Sequence, residues 1–244
     1  MLETENIFIN RFLRHTRAVQ DNMIFLEKNK DKLDFLDLDD FILFKRGLRH
    51  DIDKLENDLI EYYITMAEYY HFKKAIDEDK VNLAKQQIQK HYKIQRHHFY
   101  MNGAEPNLVD ICEMCCDIDA IATEQKEENN TLYFENYMLV EYPHLFKIKD
   151  IILKIFYFLR EKENIINDDE RSVLLDRVIK YIRKLQDDRL LLERNRSVVN
   201  LPFDKWEFFR MGMKNDVKCI DKYLCGDFGD ECNNEIRIYM EKIY

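Results

Sequence analysis

Hydrophobic residues recur every three or four positions along most of this chain, which is the spacing of one face of an α-helix. Residues 5–28 show it clearly, with apolar side chains at Ile9, Phe12, Leu13, Val19, Met23 and Leu26. The same pattern predicts helices over residues 78–99, 107–127, 145–163, 168–195, 203–225 and 231–243. No stretch alternates apolar and polar residues for long enough to predict a β-sheet. The pattern therefore predicts an all-α fold, a helical bundle with an additional C-terminal helical region.

Residues 37–70 also have a helical pattern, and Gly47 is its obvious interruption. Asp37 or Asp39 is placed to cap the start of a helix. Gly47 either separates a short helix from a longer one or lies inside a helix. The chain has five glycines and three prolines. Sandwiches and doubly wound sheets need more turn residues than this, so the composition also favours helices.

The polar segment Glu124–Asn130 (EQKEENN) carries no capping pattern and is the candidate domain boundary. It predicts a helical domain over residues 1–128, which holds the candidate site described below, and an accessory helical region of unknown role over residues 129–244. The second region shows no pattern typical of catalysis, and Trp206 is expected in its core. The six cysteines of the chain are expected to be reduced, buried thiols rather than a zinc site. The C-terminal helices are the candidate contact of a homodimer.

The net charge of −9 gives the chain no electrostatic attraction to nucleic acid or to an anionic membrane. The longest apolar run, residues 151–159, is too short to span a bilayer and is interrupted by Lys154. The N-terminus has no basic segment followed by a long apolar run, so no signal peptide is predicted. We expect a cytoplasmic protein, and a viral or phage protein in its host cell fits this expectation.

Four segments of the first half carry histidine or aspartate on predicted helices: FLRHTRAV, RHDIDKL, HYKIQRHH and EMCCDIDA. Imidazole with carboxylate is the ligand mix typical of Mn, Fe, Zn or Co. The sequence therefore predicts one or two divalent transition metal ions. The candidate ligands are His15, His50, Asp51, His91, His97, His98 and Asp117.

The spacing of these residues supports some ligands more directly than others. His91 and His98 are two helical turns apart and share a face if the helix continues. His97 points about 100° away from that face unless the helix ends before it. Glu113 lies one turn before Asp117 on the same face and is either a ligand or a partner of one. Four other residues are expected to be solvated or structural: Asp53, His71, Asp119 and His144.

The order of these residues resembles the HD superfamily of metal-dependent phosphohydrolases. HDIDK is similar to the HD-x-x-K variant, HHFYMNGAEP to the HH…DG…P segment of the HD-GYP branch, and CCDIDAIAT to its D-x-x-D-A segment. A closer resemblance is to an uncharacterised helical family of phages and large viruses with the pattern H…HDxSK…HxxxNxHH…EMxxDW. The chain departs from that pattern at Asp53, Gln95 and Ile118, and it lacks the GYP tripeptide. The resemblance covers about residues 10–125 and implies that this part of the all-α fold is an HD-like helical bundle.

The resemblance implies a phosphohydrolase that acts on a nucleotide or another small phosphate ester through a metal-activated water. Asp51 and Lys54 would then be the catalytic residues, and Lys54 would contact the substrate phosphate. Arg49 and Arg96 are further candidates for that contact, with a solvated surface arginine as the alternative for each. The alternative function is a non-catalytic helical binding protein with a structural or vestigial metal site.

Overall fold

The computed structural model describes residues 3–72, 77–125, 130–165, 169–228 and 234–242. Within these ranges the chain is helical and contains no strand, so the all-α prediction is confirmed. Residues 126–129 of the predicted boundary segment lie outside the described residues, as does the side chain of His71. None of the described helices combines the length and the hydropathy needed to cross a bilayer.

The chain divides into two compact units, Leu2–Ile166 and Asn167–Tyr244. The described α-helices of the first unit are α1 (Glu3–Lys28), α2 (Ile42–Arg49), α3 (Ile60–Phe72), α4 (Glu78–Ile94), α5 (Phe99–Asn102), α6 (Leu108–Gln125), α7 (Asn130–Tyr133), α8 (Leu139–Glu141) and α9 (Lys149–Arg160). Short 3₁₀ segments lie at Lys30–Lys32, Ile52–Leu55, Arg96–His98, Pro143–Ile148 and Glu161–Asn164. A π-helical turn, Phe134–Met138, joins α7 to α8.

Helix α1 is the centre of the first unit and packs against α2, α3, α6 and α9. Its predicted apolar face is buried, since Ile9, Val19, Met23 and Leu26 have no exposed surface. Helix α6 is buried along most of its length and packs against α9 as well as α1. One hydrophobic core therefore joins the N-terminal helix to α9.

The observed division of the chain comes later than the boundary predicted between residues 128 and 129. The segment 130–165 contributes Phe134, Leu145, Ile152 and Phe156 to the same core as α1 and α6, and all four are fully buried. This segment follows a polar stretch, but its apolar residues complete the first core. The first unit therefore extends to Ile166.

The second unit contains α10 (Glu170–Arg194), α11 (Arg196–Val199), α12 (Glu207–Leu224) and α13 (Asn234–Met240). Asp169 caps α10, because its carboxylate accepts the backbone N–H of Ser172 at 2.8 Å. The guanidinium of Arg189 on α10 donates two hydrogen bonds to Asp216 on α12, at 2.6 and 2.9 Å. Trp206 is buried, as expected for a core residue.

Candidate metal centre

Side chains from α1, the end of α2, the end of α4 and the middle of α6 meet inside the first unit. We refer to this group as the histidine–carboxylate cluster. Its members are His15, His50, Asp51, His91, His97, His98, Glu113 and Asp117. All of them except His15 are buried, and the side chain of His15 is only 12% exposed. The structure therefore brings together every side chain that the sequence proposed as a metal ligand.

The turn after α2 directs His50 and Asp51 into the cluster. The helix ends at Arg49, and Asp51 has a left-handed backbone with φ of +60°. This conformation is uncommon for residues other than glycine, although aspartate adopts it more readily than most, and here it turns the chain sharply after α2. Because the helix has ended, the two adjacent side chains need not point about 100° apart.

Two contacts between α1 and α2 fix the position of α2 and therefore of His50. A Cβ atom on Gly47 would lie 2.9 Å from Cβ of Met23, so glycine permits the close approach of the two helices. The buried carboxylate of Glu27 accepts backbone N–H groups of Phe41 and Leu43, both at 2.9 Å. Glu27 thus satisfies donors at the start of α2 that a capping side chain would normally satisfy. The predicted cap, Asp37 or Asp39, is replaced by this residue from another helix.

The helix predicted over residues 78–99 is interrupted, and the interruption shapes the cluster. Helix α4 ends at Ile94, Gln95 is extended, and a 3₁₀ turn follows over Arg96–His98. His91 and His98 nevertheless lie together, with 3.1 Å between their Nε2 atoms. The turn also brings His97 inward, where its Nε2 lies 3.7 Å from Oδ1 of Asp51. The break thus places both members of the His97–His98 doublet in the cluster.

Helix α6 begins with a reciprocal cap that sets the position of its carboxylates. Asn107 Oδ1 accepts the N–H of Asp110 at 2.9 Å, and Asp110 Oδ2 accepts the N–H of Asn107 at 3.0 Å. This pattern is a form of the capping box. One turn further along, Oε1 of Glu113 lies 3.0 Å from Nδ1 of His50 and 3.3 Å from Nδ1 of His97. Glu113 therefore contacts the outward nitrogens of two candidate ligands, as a partner of ligands does.

The inward atoms of the cluster surround Asp51. Its Oδ1 lies 3.3 Å from Nε2 of His91, and its Oδ2 lies 3.3 Å from Nε2 of His50. On the other side, Nε2 of His15 lies 3.0 Å from Oδ1 of Asp117 and 3.6 Å from Oδ2 of Asp51. Imidazole nitrogens and carboxylate oxygens thus alternate within a few ångströms of one another.

Three inward atoms are buried without a hydrogen bond of suitable geometry, Oδ1 of Asp51, Nε2 of His50 and Nε2 of His97, and the outward Nδ1 of His97 also lacks one. Buried polar groups normally have hydrogen-bond partners, so the atoms at the centre of this cluster lack partners that would be expected there. Four sets of three side chains hold ligand atoms within 4.8 Å of one another: His91, His97 and His98; His15, His50 and Asp51; His50, His97 and Asp117; Asp51, Asp53 and His91. These groups could hold a metal ion, and their nitrogen and oxygen donors fit a divalent transition metal.

The charges within the cluster perturb its ionisation. Burial would lower the pKa of His50, but the carboxylates of Asp51 and Asp117 raise it well above its usual value. Burial would raise the pKa of Asp51, but His50 and Lys54 hold it well below its usual range. Asp117 is likewise held below its usual pKa, against the effect of burial, by His15 and His50. The carboxylates are therefore ionised, as metal ligands must be.

His98 differs from His50, because burial and the neighbouring charge of His97 lower the pKa of His98 to about 2. Its imidazole is therefore neutral at physiological pH, which is the state that coordinates a metal. Its Nδ1 lies 3.4 Å from the hydroxyl of Tyr100. The pKa of that hydroxyl is raised by burial, so Tyr100 stays protonated.

Asp53 is a partner of the cluster that the sequence assigned to a solvated or structural role. Its Oδ2 lies 2.8 Å from Nδ1 of His91, the nitrogen that faces away from Asp51. A carboxylate on the far nitrogen of a ligand imidazole fixes its orientation and tautomer. The available signal is the second aspartate of HDIDK, which the short 3₁₀ segment turns back towards α4. Asp119 instead accepts a hydrogen bond from Asn22 at 2.9 Å and is structural, as predicted.

The cluster opens into a cavity of about 540 Å³, referred to as the first cavity. His15, Asp51, His98 and Asp117 lie on its wall, as does Lys54, whose ammonium forms an ion pair with Asp51. Much of the remaining wall is apolar or aromatic: Ile7, Phe8, Phe12, Tyr63, Met66, Ala67, Tyr70, Ile88, Tyr92 and Ile121. Lys54 therefore lies beside Asp51 on the wall of this cavity.

The two arginines proposed for phosphate contact do not line this cavity. Arg49 is exposed at the end of α2. Arg96 donates hydrogen bonds to both carboxylate oxygens of Asp110 and to the carbonyl oxygen of Glu105. Arg46, which the sequence did not single out, bridges Asp110 and Glu113. These arginines therefore brace the start of α6, or face solvent, in this structure.

A second cavity, of about 340 Å³, adjoins the first at His98 and Asp117. It shares those two residues, Tyr92 and Ile121 with the first cavity. The rest of its wall includes the tyrosines Tyr100, Tyr133, Tyr137 and Tyr142. The cluster therefore borders two adjoining cavities.

Comparison with known proteins gives one match. Residues 4–162 match a family whose description is "Family of unknown function (DUF5662)", and these residues are more than half of the chain and contain the whole cluster. No curated protein and no solved structure matches the chain.

Proposed function

The chain belongs to this family of unknown function (DUF5662), and because the family brings no activity with it, we propose one from the geometry of the cluster. The protein acts as a metal-dependent phosphohydrolase on a nucleotide or another small phosphate ester. The observation that carries the proposal is a buried set of unsatisfied imidazole and carboxylate atoms that opens directly into a cavity beside a lysine. A metal site that serves only to hold a fold together is normally closed by protein ligands.

His15, His50, Asp51, His91, His97, His98 and Asp117 would hold the ion or ions. A bound divalent ion supplies an activated water and positive charge for phosphoryl oxygens. Asp53 and Glu113 support this role because they contact the outward nitrogens of His91 and His50. The resemblance of the motif order to the HD superfamily points to the same chemistry.

Lys54 would bind the phosphate of the substrate. Its ammonium lines the first cavity, and Asp51 and Asp117 raise its pKa against the opposing effect of burial. It is therefore a fixed positive charge, and the compact charge of lysine suits a phosphate oxygen. Tyr63 lies beneath it, with the ammonium 5.5 Å from the ring centroid. The apolar wall would exclude bulk water and so strengthen these charge interactions.

The first test measures metal content after purification without chelator. We expect a stoichiometric transition metal in the wild type and its loss in the double variant His50→Ala with Asp51→Ala. The matched control is His144→Ala with Asp150→Ala, since both residues are exposed and lie outside the cluster. Equal metal content in the wild type and the cluster variant would contradict the site.

The second test measures phosphate release from a panel of nucleotides in the presence of Mn²⁺. We expect release by the wild type, and a fall of at least about tenfold in Lys54→Ala at unchanged metal content, since a charged hydrogen bond contributes about 1.5–3 kcal/mol. A protein that keeps its metal but releases no phosphate from any substrate would instead support the non-catalytic alternative, a structural metal site.

A further inference from the structure

The second cavity is a candidate subsite that the proposed function does not use. A phosphate monoester has one organic group, which would occupy one cavity beside the cluster. Two cavities meet at His98 and Asp117, and the hydroxyl of Tyr100 in the second cavity contacts the His98 imidazole. A phosphorus atom at the cluster would therefore border space for two organic groups, one in each cavity.

The two cavities differ in the cationic side chains that line them. The first is lined by three cationic side chains, Arg11, Lys54 and Lys85, together with the carboxylates of Asp51, Asp117 and Glu124. None of the described residues that line the second cavity is lysine or arginine. The first cavity therefore offers cationic groups to a phosphate, whereas the described wall of the second cavity offers none and suits an uncharged group.

The wall of the second cavity favours an aromatic ring as that group. The π-helical turn Phe134–Met138 buries its two end residues in the core. It leaves Tyr133 and Tyr137 side by side, with 5.6 Å between ring centroids, and they are 45% and 66% exposed. Across the cavity, Tyr100 and Tyr142 pack edge to face at 5.0 Å. π-Helical turns frequently occur at functional sites, and exposed tyrosine rings are typical contacts for planar ligands.

We propose that the tyrosine-lined second cavity binds an aromatic group of the substrate, and that the substrate is a phosphodiester with one organic group in each cavity. This inference rests on the proposed function for its chemistry. In the hydrolysis, a bond forms from the water oxygen to phosphorus, and the bond from phosphorus to one organic oxygen breaks with its electron pair on that oxygen. One water proton goes to the leaving alcohol and the other stays on the monoester product.

Three probes test the inference on the full chain loaded with Mn²⁺: 4-nitrophenyl phosphate, methyl 4-nitrophenyl phosphate and bis(4-nitrophenyl) phosphate. The two diesters share charge and leaving group and differ in the second ring. Calorimetric titration measures binding, and nitrophenolate release measures hydrolysis. We expect the bis ester to bind about tenfold more tightly than the methyl ester, which is the size of one aromatic contact.

Three variants test whether the ring of Tyr137 causes the tighter binding of the bis ester. Tyr137→Ala is expected to remove it, whereas Tyr137→Phe, which keeps the ring, retains it. Tyr157→Ala is the matched control, because Tyr157 is 55% exposed and lines neither cavity. Melting curves followed by circular dichroism check that each variant is folded.

The outcomes separate this inference from the proposed function. Equal binding of the two diesters by the wild type, no measurable binding of either, or a preference that persists in Tyr137→Ala overturns the subsite. Hydrolysis of the monoester without any preference between the two diesters supports the proposed phosphohydrolase activity and contradicts the subsite. Tighter binding of the bis ester that depends on Tyr137, with no hydrolysis of any probe, supports the subsite and contradicts the proposed phosphohydrolase activity.

Discussion

Asp51 and Asp53 lie two residues apart, yet their carboxylates contact opposite nitrogens of the same imidazole. Asp51 Oδ1 is 3.3 Å from Nε2 of His91, and Asp53 Oδ2 is 2.8 Å from its Nδ1. Asp53 thus contacts the outward nitrogen of His91, whereas Asp51 lies among the inward atoms of the cluster. An arrangement of this kind divides the two acids into one that shares the site and one that orients a ligand.

The substitution Asp53→Asn tests this division. It keeps the size of the side chain but weakens the contact with Nδ1 of His91, so we expect the affinity for Mn²⁺ to fall about 10- to 100-fold. Isothermal titration calorimetry measures the change. Asp58→Asn is the control, since Asp58 is exposed in the same segment. Wild-type affinity in Asp53→Asn would show that His91 needs no such partner.

The candidate ligands could be proposed from residue type and order, but their partners could not. Histidine is scarce in this chain, so the recurrence of His15, His50, His91 and the His97–His98 doublet is a usable signal. Acidic residues are common, with 47 aspartates and glutamates, and one that orients an imidazole has no distinguishing pattern. The role of Asp53 therefore emerges only from the three-dimensional contact.

At the scale of elements, the helix break after Ile94 decides how the third segment contributes. Neither glycine nor proline lies between His91 and His98, so the sequence predicts a continuous helix there. Asn102 stabilises the break because its amide donates to the carbonyl oxygens of Tyr92 and Gln95, at 3.1 and 3.2 Å. This contact joins residues on both sides of the break, and a periodicity argument cannot detect it.

The start of α2 is also stabilised by a contact that the local sequence pattern cannot predict, and this contact can be tested. Glu27 on α1 accepts backbone N–H groups at the start of α2 in place of a local cap. Glu27→Gln removes the charge and one acceptor oxygen, so we expect the free energy of unfolding to fall by about 1–3 kcal/mol. Urea denaturation measures it. Glu61→Gln, at an exposed site in the first turn of α3, should change it by less than about 0.5 kcal/mol. Equal losses in the two variants would contradict the proposed anchor.

At the scale of the whole molecule, the cluster and both cavities lie within the first unit, Leu2–Ile166. The helical class follows from periodicity and composition, which are properties of the whole chain. The division into units depends on which apolar faces meet, and the polar segment near residue 128 carries no information about that. Phe134, Leu145 and Phe156 belong to the first core although they follow this segment.

Two fragments test the extent of the first unit. Residues 1–166 are expected to unfold cooperatively and to bind Mn²⁺ with an affinity close to that of the full chain, because the fragment retains one core and the entire cluster. Residues 1–128 end at the boundary predicted from the sequence and lack the part of that core after α6. We expect this shorter fragment to lose cooperative melting, as followed by circular dichroism. If residues 1–128 melted cooperatively and residues 1–166 did not, the domain boundary would lie at the polar segment as the sequence predicts.

The packing of α1 against α9 has a consequence for the order of events on the ribosome. Phe25 on α1 contacts Phe158 on α9, with 5.1 Å between ring centroids, although α1 ends at Lys28 and α9 begins at Lys149. At about 5–20 residues per second, synthesis of the intervening chain takes on the order of ten seconds. During that delay the nascent N-terminal helix presents part of its apolar face to water or to a chaperone. The first unit therefore completes its folding only when most of its length has left the exit tunnel.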